Sequence, residues 1–94
     1  MANKALWEVL DNTKTNIEDV YEFCDEVLAE FGDGYDVEIW DWDDYEPSEL
    51  VNSVAQWIAD QSKGREVVDL QSKEKWNADE TACFTVVVIK TKEI

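Results

Sequence analysis

From Thr15 to Ser62 the chain carries 15 acidic residues and no Lys, Arg or His. Like charges left together repel and destabilise a compact state, so a fold built from this segment must turn its carboxylates outward and bury something else. Apolar residues for that purpose are plentiful: they make up 45% of the 94 residues, with five Trp, three Tyr and three Phe. Such a composition is too hydrophobic and too aromatic for a disordered acidic tail. One domain spanning residues 1–94 is expected, since a chain this short has apolar surface for a single core only. Residues 63–94 balance six acids with six bases, so the whole formal net charge of −15 arises before them.

Periodicity supplies the elements. `NKALWEVLD` at 3–11 reads as a short helix with Leu6, Val9 and Leu10 inward and Trp7 near its edge. `TNIE` at 15–18 has the spacing of a capping box with Thr15 as N-cap, and Gly32 or Gly34 offers a left-handed stop. Between them Ile17, Val20, Tyr21, Cys24, Val27, Leu28 and Phe31 recur at steps of three and four, the core stripe of an amphipathic helix. Tyr35 to Trp42 alternates as a strand does, with Tyr35, Val37 and Ile39 on one face and Asp36, Glu38, Trp40 and Trp42 on the other. Pro47 suits the first turn of a third helix over 47–62, which turns Leu50, Val51, Val54, Trp57 and Ile58 inward and ends at Gly64. Strands are predicted at 65–71 and 81–91, joined by a loose polar connection over 72–80. The last strand contains `ACFTVVVI`, apolar on both faces, and so belongs at the centre. The expected fold is α+β with topology ααβαββ: a three-stranded antiparallel sheet of order 1-3-2, a right-handed crossover, and helices packed on one face.

The functional classes narrow by elimination. With no histidine in the chain, imidazole-based triads and dyads are ruled out. Phosphate loops, nucleophile elbows and dinucleotide fingerprints are also missing. A carboxylate pair acting on a glycosidic bond would need a deep cleft that a domain of this size does not promise. A calcium loop beginning at Asp41 fails, because Tyr45, Glu46 and Asn52 occupy positions that require a ligand, glycine and glutamate. Two distant cysteines, Cys24 and Cys83, within apolar periodic segments suit reduced core thiols better than a disulfide or zinc site. We therefore expect a non-enzymatic protein with no metal or cofactor. No secretory leader, long apolar run or lipidation signal is apparent, so a cytoplasmic location and no membrane partner are expected.

The stretch `YDVEIWDWDDYEPSEL`, residues 35–50, sets seven carboxylates among four aromatic rings. Asp36 and Glu38 project from the outer face of a strand, and Asp41, Asp43, Asp44, Glu46 and Glu49 continue the charge into the next helix. An extended chain advances about 3.4 Å per residue, close to the axial spacing of phosphates along one DNA strand. Trp40 and Trp42, on the acidic face, are candidate apolar anchors. On the second helix Glu18, Asp19, Glu22, Asp25, Glu26 and Glu30 fall within an arc of roughly 140° opposite the apolar stripe, at 100° per residue. No lysine stands four residues away to relieve them.

In small size, acidity, lack of histidine and a continuous base-free segment, the chain resembles the phage-encoded DNA-mimic inhibitors as a class: anti-restriction proteins, anti-CRISPR proteins and uracil-DNA glycosylase inhibitors. The resemblance is one of surface chemistry over residues 15–62, and no motif ties the chain to one of these families. It implies a phage-type inhibitor in the cytoplasm of an infected cell. Such a protein would bind a basic nucleic-acid-binding partner (CRISPR effector, restriction enzyme or nuclease) and not nucleic acid itself. Immunity proteins that neutralise basic nuclease toxins resemble it for the same reason and stand as the alternative. A third reading is an acidic interaction domain unrelated to nucleases, including a homodimer; the oligomeric state is left open. Carboxylates crowded without cations should also have raised folded-state pKa values, so stability should rise as pH falls from 7 toward about 5, and with added salt.

Overall fold

The structure, a computed structural model, describes residues 5–32, 34–41 and 46–94. Its elements follow in the expected order: helix α1 (Leu6–Asn12), helix α2 (Val20–Phe31), strand β1 (Tyr35–Asp41), helix α3 (Pro47–Gln61), strand β2 (Arg65–Trp76) and strand β3 (Cys83–Glu93). The strands form one antiparallel sheet of order β1-β3-β2. β3 is central because both of its faces are apolar: Val86, Val87, Val88 and Ile89 are all buried. β1 and β2 therefore occupy opposite edges.

Apolar cover on both sides of β3 divides the helices between two faces. α1 and α2 lie on the face of Tyr35, Val37, Ile39, Val86 and Val88, where Leu6, Val9, Leu10, Ile17, Phe23 and Val27 complete the main core. α3 lies on the other face, where Leu50, Val51 and Val54 stand with Thr85 and Val87 around a groove of about 560 Å³. Of the expected single helical face, then, α1 and α2 are members and α3 is not. The reason is the second apolar row of β3, Val87 and Ile89, which needs its own cover.

α2 differs from expectation at its start and in its inward ridge. Thr15 does not cap it. The Glu26 carboxylate reaches back to accept the Thr15 hydroxyl at 2.6 Å and the Lys14 and Thr15 backbone N–H groups at 2.7 and 3.2 Å. With its donors satisfied from inside the helix, the segment before Val20 stays a turn and Asp19 takes the N-cap position. Phe23 and Val27 form the buried ridge, while Val20 and Tyr21, expected inward, are 44% and 88% exposed. Gly32 ends the helix at φ +94°, a conformation that L side chains rarely adopt, and its N–H bonds the Leu28 carbonyl at 2.8 Å. The capping box of this chain lies instead at α3, between Glu46 and Glu49, with Pro47 in the first turn.

β2 runs five residues past its expected end at Gln71, to Trp76. Its continuation, `SKEKW`, lacks apolar alternation because this edge strand is largely exposed on both faces. The turn that follows is organised by Asn77, which is buried. Its Oδ1 accepts the N–H groups of Thr81 and Ala82 at 2.8 and 3.3 Å, and its Nδ2 donates to Thr81 Oγ1 at 2.9 Å and Glu18 Oε1 at 3.0 Å. Replacing Asn77 with Ala strands several of these groups at once. We expect Asn77→Ala to cost about 2–3 kcal/mol, read as a lower urea midpoint; a loss below about 0.5 kcal/mol would mean that the turn is held by other contacts.

Candidate functional site

On β1 the strand alternation separates the acids. Asp36 and Glu38 lie on the α3 face, whereas Asp41, opposite Phe84, lies at the strand end on the α1/α2 face. The expected single row along the strand is thus a pair plus a residue on the far side. Trp40 is half-buried and meets Trp57 of α3 edge to face, with ring centroids 5.7 Å apart. It covers the α3–β1 contact and is not a free anchor. Gln61 ties the same corner together: oriented to satisfy both neighbours, its amide donates to Asp36 at 2.9 Å and accepts from Trp57 Nε1 at 3.2 Å. Trp42, Asp43 and Asp44 lie outside the described residues.

α2 brings a second set of acids to this edge. Glu22 and Asp25 are exposed on its outer side, with Glu18 and Asp19 exposed just ahead of it. Two members of the set have structural duties. Glu26 holds the α1–α2 turn, as above, and Glu18 accepts from Asn77 at 3.0 Å. Glu46 and Glu49 are exposed and engage each other's backbone at the start of α3.

Cys24 of α2 lies within electrostatic reach of one acid from each group. Its half-buried thiol is pushed above its ordinary value first by burial, then by the charges of Glu38 on β1 and Asp25 on α2. Strand and helix thus each place a carboxylate within Coulombic reach of this side chain. Ion pairs between described residues join Lys63 to Asp60, Arg65 to Glu93 and Lys92 to Glu66 at 3.6–4.0 Å, and none of them reaches Asp19, Glu22, Asp25, Asp36 or Glu38. Lys90, the base nearest the start of β1, stands over the Tyr35 ring at 5.1 Å. Five of the bases, Arg65, Lys73, Lys75, Lys90 and Lys92, belong to β2 and β3.

Among the described residues no group of three or more Asp, Glu or Cys side chains is arranged to hold a metal ion. Both cysteines are free thiols, Cys83 buried and Cys24 half-buried. No helix of the described chain is long and apolar enough to cross a membrane. Comparison of the chain with protein-family models, with curated proteins and with solved structures finds no match.

Sequence reasoning missed one candidate at this surface. Tyr21 is 88% exposed and Val20 is 44% exposed, with Glu18, Asp19, Glu22 and Asp25 around them. They are exposed where Trp40 is half-buried. No signal in the sequence separates them from the core, because their spacing matches the inward stripe as well as Phe23 does.

The acids here make stability depend on pH in two opposed ways. Glu38 is raised above the ordinary value of 4.5, first by burial and then by Asp36. Its favourable contribution is fully present below the unfolded pKa and is lost as pH rises through the folded one. Glu26 is lowered from 4.5, first by the Thr15 hydroxyl and then by the Lys14 N–H. Its contribution is present above the unfolded pKa and is lost as pH falls through the folded one. Stability should therefore increase from neutral pH toward the region just above 4.5 as Glu38 takes up a proton, and decrease below it as Glu26 does. Urea midpoints measured against pH will show this maximum. Glu38→Gln should flatten the limb toward neutrality, and Glu26→Gln the acid limb; a parent profile that only rises as pH falls contradicts the Glu26 assignment, and one that only falls contradicts the Glu38 assignment.

Proposed function

We propose that this protein is a non-enzymatic inhibitor that places the acidic surface of β1 and α2 in the cationic nucleic-acid channel of a host-defence nuclease, a CRISPR effector or a restriction enzyme. The observation that carries this reading is that Glu22 and Asp25 of α2 and Asp36 of β1 are exposed, and that none of the three ion pairs named above reaches them. A channel lined with Lys and Arg is built for closely spaced phosphates, and a rigid body of the same sign can be steered into it and held there. Tyr21 and Val20 add apolar contact amid the charge. The sheet and two helices hold the carboxylates in place, so little ordering entropy opposes binding.

Competition is the test. A candidate nuclease is mixed with labelled duplex, and the protein is titrated in at two ionic strengths. Displacement of duplex, with an apparent affinity that falls steeply between about 50 and 200 mM salt, is the expected result. Nuclease bound to the protein and to duplex at the same time, or affinity indifferent to salt, would remove the basis for mimicry.

A further inference from the structure

Besides the acidic surface, the molecule presents a second distinctive region at its opposite edge. β2 pairs with β3 on one side only, and no described residue pairs with its other side. Exposed apolar side chains gather along it. Val68, Leu70 and Trp76 are 44%, 48% and 56% exposed. Trp7 of α1 stands beside Lys73 and Lys75 on one face, and Val51 of α3 flanks the groove beside Ser72 and Glu74 on the other. The strand is also neutral, with Arg65, Lys73 and Lys75 balancing Glu66, Asp69 and Glu74. Few surfaces of a chain with net charge −15 are available for contact with a like-charged body, and this edge lies across the sheet from the acids of β1.

We propose that β2 pairs antiparallel with β2 of a second copy of this chain, joining two three-stranded sheets into one of six strands. Charge complementarity argues for a second copy as the occupant; axes at Gln71 and at Ser72 both set Asp69 opposite a lysine, but the axis at Ser72 would also set Leu70 opposite Glu74. With Gln71 of both copies on the two-fold axis, Asp69 of each copy lies opposite Lys73 of the other on the α1/α2 face, giving two opposite-charge pairs. On the α3 face the same register sets Leu70 diagonal to its symmetry mate, within reach across the strands. An axis at Lys73 would set like charges face to face. The irregularity between Val67 and Asp69 ends the paired stretch on one side. The far edge, β1, carries Asp36 and Glu38 and repels further strands, so assembly closes at two copies. The dimer presents an acidic surface at each end.

Sedimentation equilibrium on the full chain at concentrations up to about 0.5 mM, where weak associations of this kind are populated, is the test. The expected species has twice the mass of the 10.9 kDa chain. Lys73→Asp and Asp69→Lys should each weaken association by about tenfold or more, since attraction becomes repulsion in both pairs. Mixing the two variants should restore a dimer with one chain of each, in which both pairs are again opposite in sign. Asp69 also accepts the Tyr35 hydroxyl at 3.3 Å, so circular dichroism checks the fold of that variant, and Leu70→Lys, at an exposed site, serves as an independent disruption. A parent chain that stays monomeric throughout, or a dimer that survives both Lys73→Asp and Leu70→Lys, overturns the proposal. Failure of the mixed pair to associate, with both variants folded, overturns the register.

Discussion

Reversing Asp36, Glu38, Glu22 and Asp25 to Lys together should abolish displacement of nucleic acid from the target nuclease while leaving the chain folded. Each reversal turns an attraction into a repulsion, a change of about 2 kcal/mol for charges 4 Å apart in water. Screening at physiological salt and non-additivity reduce four such changes to roughly 4 kcal/mol. That is about a thousandfold in affinity. The fold has reason to tolerate them, because Glu22, Asp25 and Asp36 are exposed and the substitutions relieve like-charge repulsion. A variant that is folded, as judged by its urea transition, and that still inhibits at parental concentrations would remove this surface from the mechanism. The converse control reverses Glu66 and Glu74 on β2, which lie on the edge remote from the acids of β1 and should leave inhibition unchanged.

The second large effect concerns the core. Phe23→Ala should cost about 3–5 kcal/mol, the usual loss on emptying a buried aromatic site. A domain of this size has about 5–14 kcal/mol in all, so the variant should be near its folding threshold and partly unfolded on mild heating. Tyr21→Ala should change stability by no more than about 0.5 kcal/mol, as surface substitutions do. The contrast is specific to how α2 sits on the sheet. Phe23 is fully buried while Tyr21, two residues earlier, is 88% exposed. If Tyr21→Ala proved the more damaging of the two in urea denaturation, the helix would be turned the other way and the acids of α2 would face elsewhere.

These expectations rest on features of unequal visibility in the sequence. Alternation from Tyr35 to Ile39 placed Val37 and Ile39 inward, because a strand has only two faces and the choice between them is made by polarity alone. The double apolar character of `ACFTVVVI` located β3 at the sheet centre for a similarly local reason. The first part of the site, Asp36 and Glu38 on one strand face, was legible in the same way. The cap at Thr15 was misread because a carboxylate eleven residues on, in Glu26, competes for the same donors. The end of β2 was misread because an edge strand buries little, and its polar run from Ser72 to Lys75 shows no alternation.

The linear pattern of residues thus established which segments are helices and strands, their order, the central position of the last strand and the segregation of charge into the first two thirds of the chain. Each of these depends on neighbours within a few positions or on simple counting. The choice of Phe23 over Tyr21 for the core, the docking of α3 on the second face through Trp57 and Trp40, and the place of Asp36 and Glu38 on the face that α3 covers were decided only in the folded molecule. They depend on which surfaces remain to be covered once the sheet has formed. Contacts between residues distant in the chain determine that, and a periodic pattern carries no record of them.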